Sequence, residues 1–559
     1  MLRIATLVVL WCCLATCPSP AADWPTYRGD NRRTGATSES WTGVSARTKW
    51  VYRSPNRPQP AWPGPARWDS YANVRGLGAM RNYDPCFHVV SAGEQVYFGS
   101  SADDSVHCLD ARTGERIWTF TTDGPVRVAP TVADGRVYFG SDDGHAYCVG
   151  ASDGALVWKS APVDDSPHIL NDGRFVSLAP CRTGVLVDGK HAYFGAGLLP
   201  WRDAVLTCVD AATGRSDAEG CFEQRRYGLT MEGALLADET RLIAPAGRVP
   251  PYVFDRSTGE QTRQLEGSGG SSVVLTADGN VLCGPGNKTG WISETSVESG
   301  KQVQVHQGAL TAAVSGAHRV VVSKLRLRAM DAVSGRTLWD VPCRHPHEVI
   351  IAGDTVLAGG DDSVAAFSLA DGRLLWEAPV EGRAFGLALA DGRLFVSTDE
   401  GVIHCLVASD EPLPEAVAAS NRGASNDESD ADVPASSGQQ HPDDERGLVS
   451  HWRVHREMAA IARRRGIPDS EQGLSDQAGV AHALIHGPVS SGEVGGVATL
   501  ELVGETNSVS ISDDLARFAP PSGAFTVEAW VRIDEPDSTG CIIGCFEDSK
   551  TVHQGWLLG

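Results

Sequence analysis

Short apolar runs separated by polar turns fill most of the chain, and the runs repeat. One run recurs as Val96-Tyr97-Phe98-Gly99, Val137-Tyr138-Phe139-Gly140 and Ala192-Tyr193-Phe194-Gly195. Weaker copies stand at Leu242-Ile243, Val281-Leu282-Cys283-Gly284, Val320-Val321-Val322, Val356-Leu357-Ala358-Gly359 and Leu394-Phe395-Val396. A spacing of about 40 residues marks a repeat architecture. Each copy has the same grammar. A mostly apolar strand ends in a turn such as Asp134-Gly135, and the Tyr-Phe-Gly strand follows. A polar hairpin turn such as Asp142-Asp143-Gly144 leads to a third strand, as in Val106-His107-Cys108-Leu109. A glycine turn then opens a last strand that often carries tryptophan, as in Gly114 to Trp118 and Gly335 to Trp339.

Four short strands per repeat, with glycine where tight turns need positive φ, predict one β-propeller blade. The fold class read from this pattern is all-β, with an eight-bladed propeller over residues 23–408. The eighth copy lacks its tryptophan strand, while an orphan strand of that kind, Thr48-Lys49-Trp50-Val51-Tyr52, precedes the first copy. If Trp50 supplies the missing strand, the ring closes and no sheet edge is left open. Cys108, Cys148, Cys208 and Cys405 all occupy one repeat position. They read as small buried fillers rather than disulfide partners.

The turn Asp-x-x-Thr-Gly-x-x-x-Trp after a Tyr-x-Cys-Leu-type strand resembles the pyrroloquinoline-quinone (PQQ) repeat. The opening Trp24-Pro25-Thr26-Tyr27-Arg28-Gly29-Asp30, with Arg33-Thr34-Gly35 after it, resembles the leader of such propellers in exported bacterial proteins. The resemblance covers roughly residues 24–407 and speaks for fold more than for function. It implies kinship with quinoprotein dehydrogenases, with the outer-membrane-protein assembly lipoprotein, and with other exported proteins. A quinoprotein of this type would be expected to bind PQQ with calcium, a carboxylate base and often a vicinal disulfide. The mature chain has no Cys-Cys pair, and Ala218, Arg263 and Gln304 stand where blades 3, 4 and 5 would carry the repeat tryptophan. These departures argue for no cofactor, with PQQ and calcium as the alternative.

The ends of the chain read differently. Met1-Leu2-Arg3 followed by the apolar run Ile4 to Ala15 is a signal-peptide pattern, too short to span a bilayer, with cleavage expected after Ala22. Leu14-Ala15-Thr16-Cys17 gives a second reading, a lipoprotein anchored at Cys17. Residues 409–447 are acidic and lack aromatic residues, which predicts a disordered linker. Beyond it, Leu448 to Trp452, Ala498 to Val503 and Phe525-Thr526-Val527-Glu528-Ala529-Trp530-Val531 resemble a laminin-G/concanavalin-like jelly-roll sandwich. Residues 448–559 fall short of the roughly 150 that such a sandwich needs, so a partial, truncated domain is expected.

Composition narrows the function. A formal charge of −22 argues against nucleic acid as a partner. There is no nucleophile elbow, His-Glu-x-x-His or P-loop, and no paired C-x-x-C, so no catalytic or metal residues are assigned. Cys343-Arg344-His345-Pro346-His347-Glu348 reads as a surface loop. Arg127, Arg182 and Arg383 fall near the starts of three predicted inner strands. If they converge, they make a basic mouth suited to an anionic ligand or an acidic peptide, although their registers differ by about a residue. The reading is an exported, non-catalytic scaffold, in the periplasm, at the cell surface or secreted. Its propeller would bind protein or polymer, and its sandwich a polysaccharide. The alternatives are a PQQ-dependent oxidoreductase and an assembly-type lipoprotein of the outer membrane.

Overall fold

A computed structural model describes residues 22–62 and 83–411, apart from 164–165, 172–173, 271 and 287–289, and backbone strands between 473 and 558. Strands Val89–Ala92, Gln95–Ser100, Ser105–Asp110 and Arg116–Thr121 form the antiparallel sheet of blade 1. Five further four-stranded sheets of the same order occupy residues 131–160, 186–227, 236–264, 272–307 and 309–342. The last sheet has eight strands, because Leu374–Ala390 runs unbroken from the outer strand of blade 7 into the inner strand of blade 8. Ser45–Arg53 pairs antiparallel with Val402–Ser409, placing Trp50 opposite Cys405 and completing blade 8 from the other end of the chain. The described residues between 22 and 411 are thus an all-β, eight-bladed propeller.

Burial follows strand position. In Gln95–Ser100 everything after Gln95 is buried, because a second strand has a neighbouring blade on each face. In the outer strand Arg116–Thr121, Trp118 is buried while Arg116, Ile117 and Thr119 are exposed. Trp118 lies against Gly154 of the next blade and donates its Nε1–H to the Ala151 carbonyl at 2.9 Å. Trp50 repeats this on Gly114 and Ala111, Trp158 on Gly214 and Ala211, and Trp339 on Gly372 and Leu369. Blade 3 corrects the sequence reading. Its residue at this position is Phe222, paired with Cys208 and seated on Gly259, not Ala218. The turn is four residues longer there, Gly214 to Phe222 against Gly114 to Trp118. Arg263 and Gln304 do hold the position in blades 4 and 5. Between blades 5 and 6 lies a buried ion pair, Arg319 to Glu294 at 2.6 and 2.8 Å.

The leader circles the ring. Trp24 exchanges two backbone bonds with Ser91 of blade 1, and Pro25 accepts from Val132 of blade 2. The Asn31 side chain donates to the Val187 carbonyl of blade 3. The carbonyls of Asn31, Arg32, Thr34 and Gly35 accept from Ala237, Leu275, Val314 and Ile351 of blades 4 to 7. Glu39 accepts from Asp391 of blade 8. The sixteen residues Trp24 to Glu39 therefore reach the inner strands of all eight blades in order, at their C-terminal ends.

The C-terminal strands belong to a separate unit. Gly473–Leu474, Ala483–His486 and Ser508–Ser510 form one antiparallel sheet, and Val489–Val494 with Val497–Leu502 and Ile543–Asp548 with His553–Leu558 form two hairpins. The run 525–533 lies outside the described residues, as do residues 412–447 and the signal segment with Cys17. Among the described residues no helix is long and apolar enough to cross a membrane.

Candidate functional site

The inner strand of blade 2 is three residues long, Thr131–Ala133. Its C-terminal end meets the leader, and the segment leading into its N-terminal end carries Arg127. The equivalent segment of blade 3 carries Arg182. Both side chains turn into the mouth of the channel, at the end opposite the leader. Arg127 Nε donates to Asp142 Oδ2 at 2.7 Å, and its Nη1 to Asp84 Oδ2 at 2.8 Å and to the Gln59 carbonyl at 2.6 Å. Arg182 grips Asp142 with two bonds, 2.8 Å to Oδ1 and 2.9 Å to Oδ2, and reaches Glu232 Oε1 at 3.0 Å. Trp62 donates to the same Glu232 oxygen at 2.9 Å, and the Arg182 guanidinium stands 5.7 Å from the Trp62 ring centre. Asp84, Arg127, Asp142, Arg182 and Glu232 make one buried chain of alternating charge.

Burial alone would push the Asp142 carboxyl up, but Arg127 and Arg182 beside it hold it below the ordinary value. Asp84 goes the other way, because burial outweighs its bond to Arg127. Its Oδ1 and the Tyr83 hydroxyl are buried with no hydrogen-bond partner among the described residues. Arg127 is held strongly protonated, since Asp142 and Asp84 overcome its desolvation. Among the described residues two arginines face three carboxylates, so these arginines make no basic patch, and an anion would have to displace carboxylates already in place.

Arg383 does not join them. It is exposed, bonded to Asp399 at 2.7 Å and stacked near Phe385 at 5.6 Å. Its neighbour Ala384 is the buried residue, so a one-residue register difference turned the arginine outward. Three partners went unrecognised in the sequence. Asp142 sits in a hairpin turn, where aspartate is common for local reasons; Glu232 and Asp84 lie in irregular segments with no period to flag them. Nor is 343–348 a surface loop throughout: His345 is buried, and Glu348 is buried against Arg28 of the leader.

Below the mouth the channel is filled. Tyr27 of the leader packs toward Ala61, Trp62, Tyr83, Val128, Leu198 and Ala234. Arg28 binds Glu348 and the Ala312 carbonyl. Arg33 donates to the Leu235 carbonyl at 2.8 Å and to Thr26 Oγ1 at 2.7 Å, and burial pushes its pKa down to about 10. These residues do not fit PQQ with calcium: the mouth arginines are engaged by carboxylates, the bore is occupied by side chains, and the described cysteines include no adjacent pair.

Above the mouth stands a hairpin inserted between blades 2 and 3, His168–Asn171 with Arg174–Ser177. Arg174 ties it down through Asp104, Gln59 Oε1 and the Ala102 carbonyl. Val176 on one face is buried, and Ile169 packs toward the mouth. The cross-strand pair Leu170 and Phe175 faces solvent on the other, Phe175 being 71% exposed. Trp201, in the loop before Asp203–Asp210, and Tyr227, opposite Asp203, are also largely exposed at this end of blade 3.

A family model described as outer membrane protein assembly factor BamB matches residues 64–220, 177–387 and 360–413. The outer membrane protein assembly factor BamB of Burkholderia pseudomallei (strain K96243) is 28% identical over 347 residues, covering 60% of this chain and 76% of that one. Among solved structures, quinohemoprotein alcohol dehydrogenase from Comamonas testosteroni gives a TM-score of 0.50 at 15% identity, covering 70% of this chain and 82% of its own. BamB from Moraxella catarrhalis gives 0.44 at 13% identity, covering 65% and 99%. The Comamonas likeness bears on fold alone. The family match ends at residue 413 and lends no support to a laminin-G-like domain beyond it.

Proposed function

The chain belongs to the family described as outer membrane protein assembly factor BamB, and from that membership we propose that it is an exported, non-catalytic protein-binding scaffold of the outer-membrane assembly type. The observation that supports this reading most is the filled channel. The bore in which a propeller of this fold would hold a small ligand is taken up by Tyr27, Arg28 and Arg33 from one end and by the Asp84–Glu232 charge chain from the other. What the ring offers outward is its rim. We place the binding surface at the mouth side, on Leu170, Phe175, Trp201 and Tyr227, since solvent-facing apolar side chains of this size mark interaction surfaces.

The test is made in cells. A strain lacking the chain should show less folded outer-membrane β-barrel protein, restored by the wild type but not by the double variant Leu170→Asp, Phe175→Asp expressed at equal level. Unchanged barrel levels in the deletion strain would remove the assembly reading. Retention of added PQQ and calcium by the purified protein, with dye-linked alcohol oxidation, would replace it with an oxidoreductase.

A further inference from the structure

Blade 3 departs from its neighbours in one other way. Cys108, Cys148 and Cys405 lie opposite Trp118, Trp158 and Trp50 in their outer strands. Cys208, at the same position, lies opposite Phe222, and the longer turn before Phe222 brings a second cysteine, Cys221, beside it. His191 opens the adjoining strand His191–Ala196 on the same side. The two sulfur atoms and an imidazole nitrogen all lie within 4.8 Å of one another. The turn backbone approaches closely as well: Gly220 accepts from Cys208 Sγ at 3.8 Å, and the Glu219 carbonyl is 3.5 Å from His191 Nε2. A Cβ on Gly220 would stand 3.0 Å from that same nitrogen, so this glycine leaves the imidazole its place.

We propose that His191, Cys208 and Cys221 form a binding site for a thiophilic divalent cation of the zinc class. Two thiolates and an imidazole are a donor set suited to that ion. Tetrahedral zinc with sulfur at about 2.3 Å and nitrogen at about 2.0 Å needs donors roughly 3.5–3.8 Å apart. The three need therefore draw together by no more than about an ångström, within reach of rotation of the half-buried His191 and Cys221 side chains. Cys208 is fully buried and fixed by its strand. Binding releases two thiol protons to solvent, and both cysteines become metal thiolates with no change of oxidation state. A disulfide would use the cysteines alone and give the converging imidazole no part.

The full mature chain, reduced and stripped with a chelator, is titrated with cobalt(II) and zinc. The expected result is stoichiometric binding with a thiolate-to-cobalt charge-transfer band, displaced by zinc. Cys221→Ser and His191→Ala should each weaken zinc binding by at least about tenfold, while Cys148→Ser, at the equivalent position of blade 2, leaves it unchanged. Cys221 is half-buried, so its variant reports on binding even if Cys208→Ser fails to fold. Absence of the charge-transfer band, wild-type zinc affinity in Cys221→Ser, or a Cys208–Cys221 disulfide in protein alkylated on isolation from its host would each overturn the proposal.

Discussion

At the scale of single residues, the mouth of the channel shows how burial sets the meaning of a charge. Arg182 and Arg383 look alike in the sequence, yet Arg182 is 1% exposed and held by Asp142 and Glu232 while Arg383 faces water beside Asp399. Removing one member of a buried pair strands the other, so Arg182→Ala should cost about 3–5 kcal/mol, and Arg383→Ala less than about 1 kcal/mol, by urea unfolding of the full chain. His404 gives a pH dependence of known sign. It accepts a bond from the Glu381 N–H at 3.0 Å, and burial, then Arg53, lowers its pKa to about 4. A depressed folded value means that the neutral ring belongs to the native state. Its contribution is full above the ordinary histidine value near 6.5 and is lost as the pH falls toward 4. His404→Gln should flatten the fall in melting temperature across that interval.

At the scale of elements, the blade is a unit read almost directly from the sequence, because strand, turn and tryptophan each leave a periodic mark. What the period could not show is where it breaks. Ala218 holds the counted position in blade 3, but four extra residues pass it to Phe222. The leader's path has no period, and its partners lie far along the chain. The tryptophan contact can be isolated by a pair of substitutions at matched backbone. Gly154 and Gly300 both have positive φ, 68° and 73°. A Cβ on Gly154 would come within 2.8 Å of the Trp118 ring, whereas on Gly300 the nearest atom is Arg263 Cδ at 3.5 Å. Gly154→Ala should therefore destabilise by about 1–3 kcal/mol more than Gly300→Ala, the cost of overpacking, as read from chemical denaturation midpoints. Trp118→Ala, which empties the site, should cost about 3–5 kcal/mol.

At the scale of the whole molecule, two devices hold the ring: the strand Ser45–Arg53, which completes blade 8, and the leader, which laces the eight inner strands. The first was legible in the orphan Trp50; the second was not, since the leader's resemblance to a known segment carries no statement of what it touches. A chain beginning at residue 41 keeps the closing strand but loses the lacing, and its propeller should melt at a lower temperature and over a broader range than the intact chain, by calorimetry. Both devices join the beginning of the polypeptide to its far side. Blade 8 cannot form until residues 402–409 are available to residues 45–53. An emerging chain therefore spends its synthesis with a seam unpaired and its core exposed along one edge. The finished ring is a late event, governed by the slow meeting of distant segments.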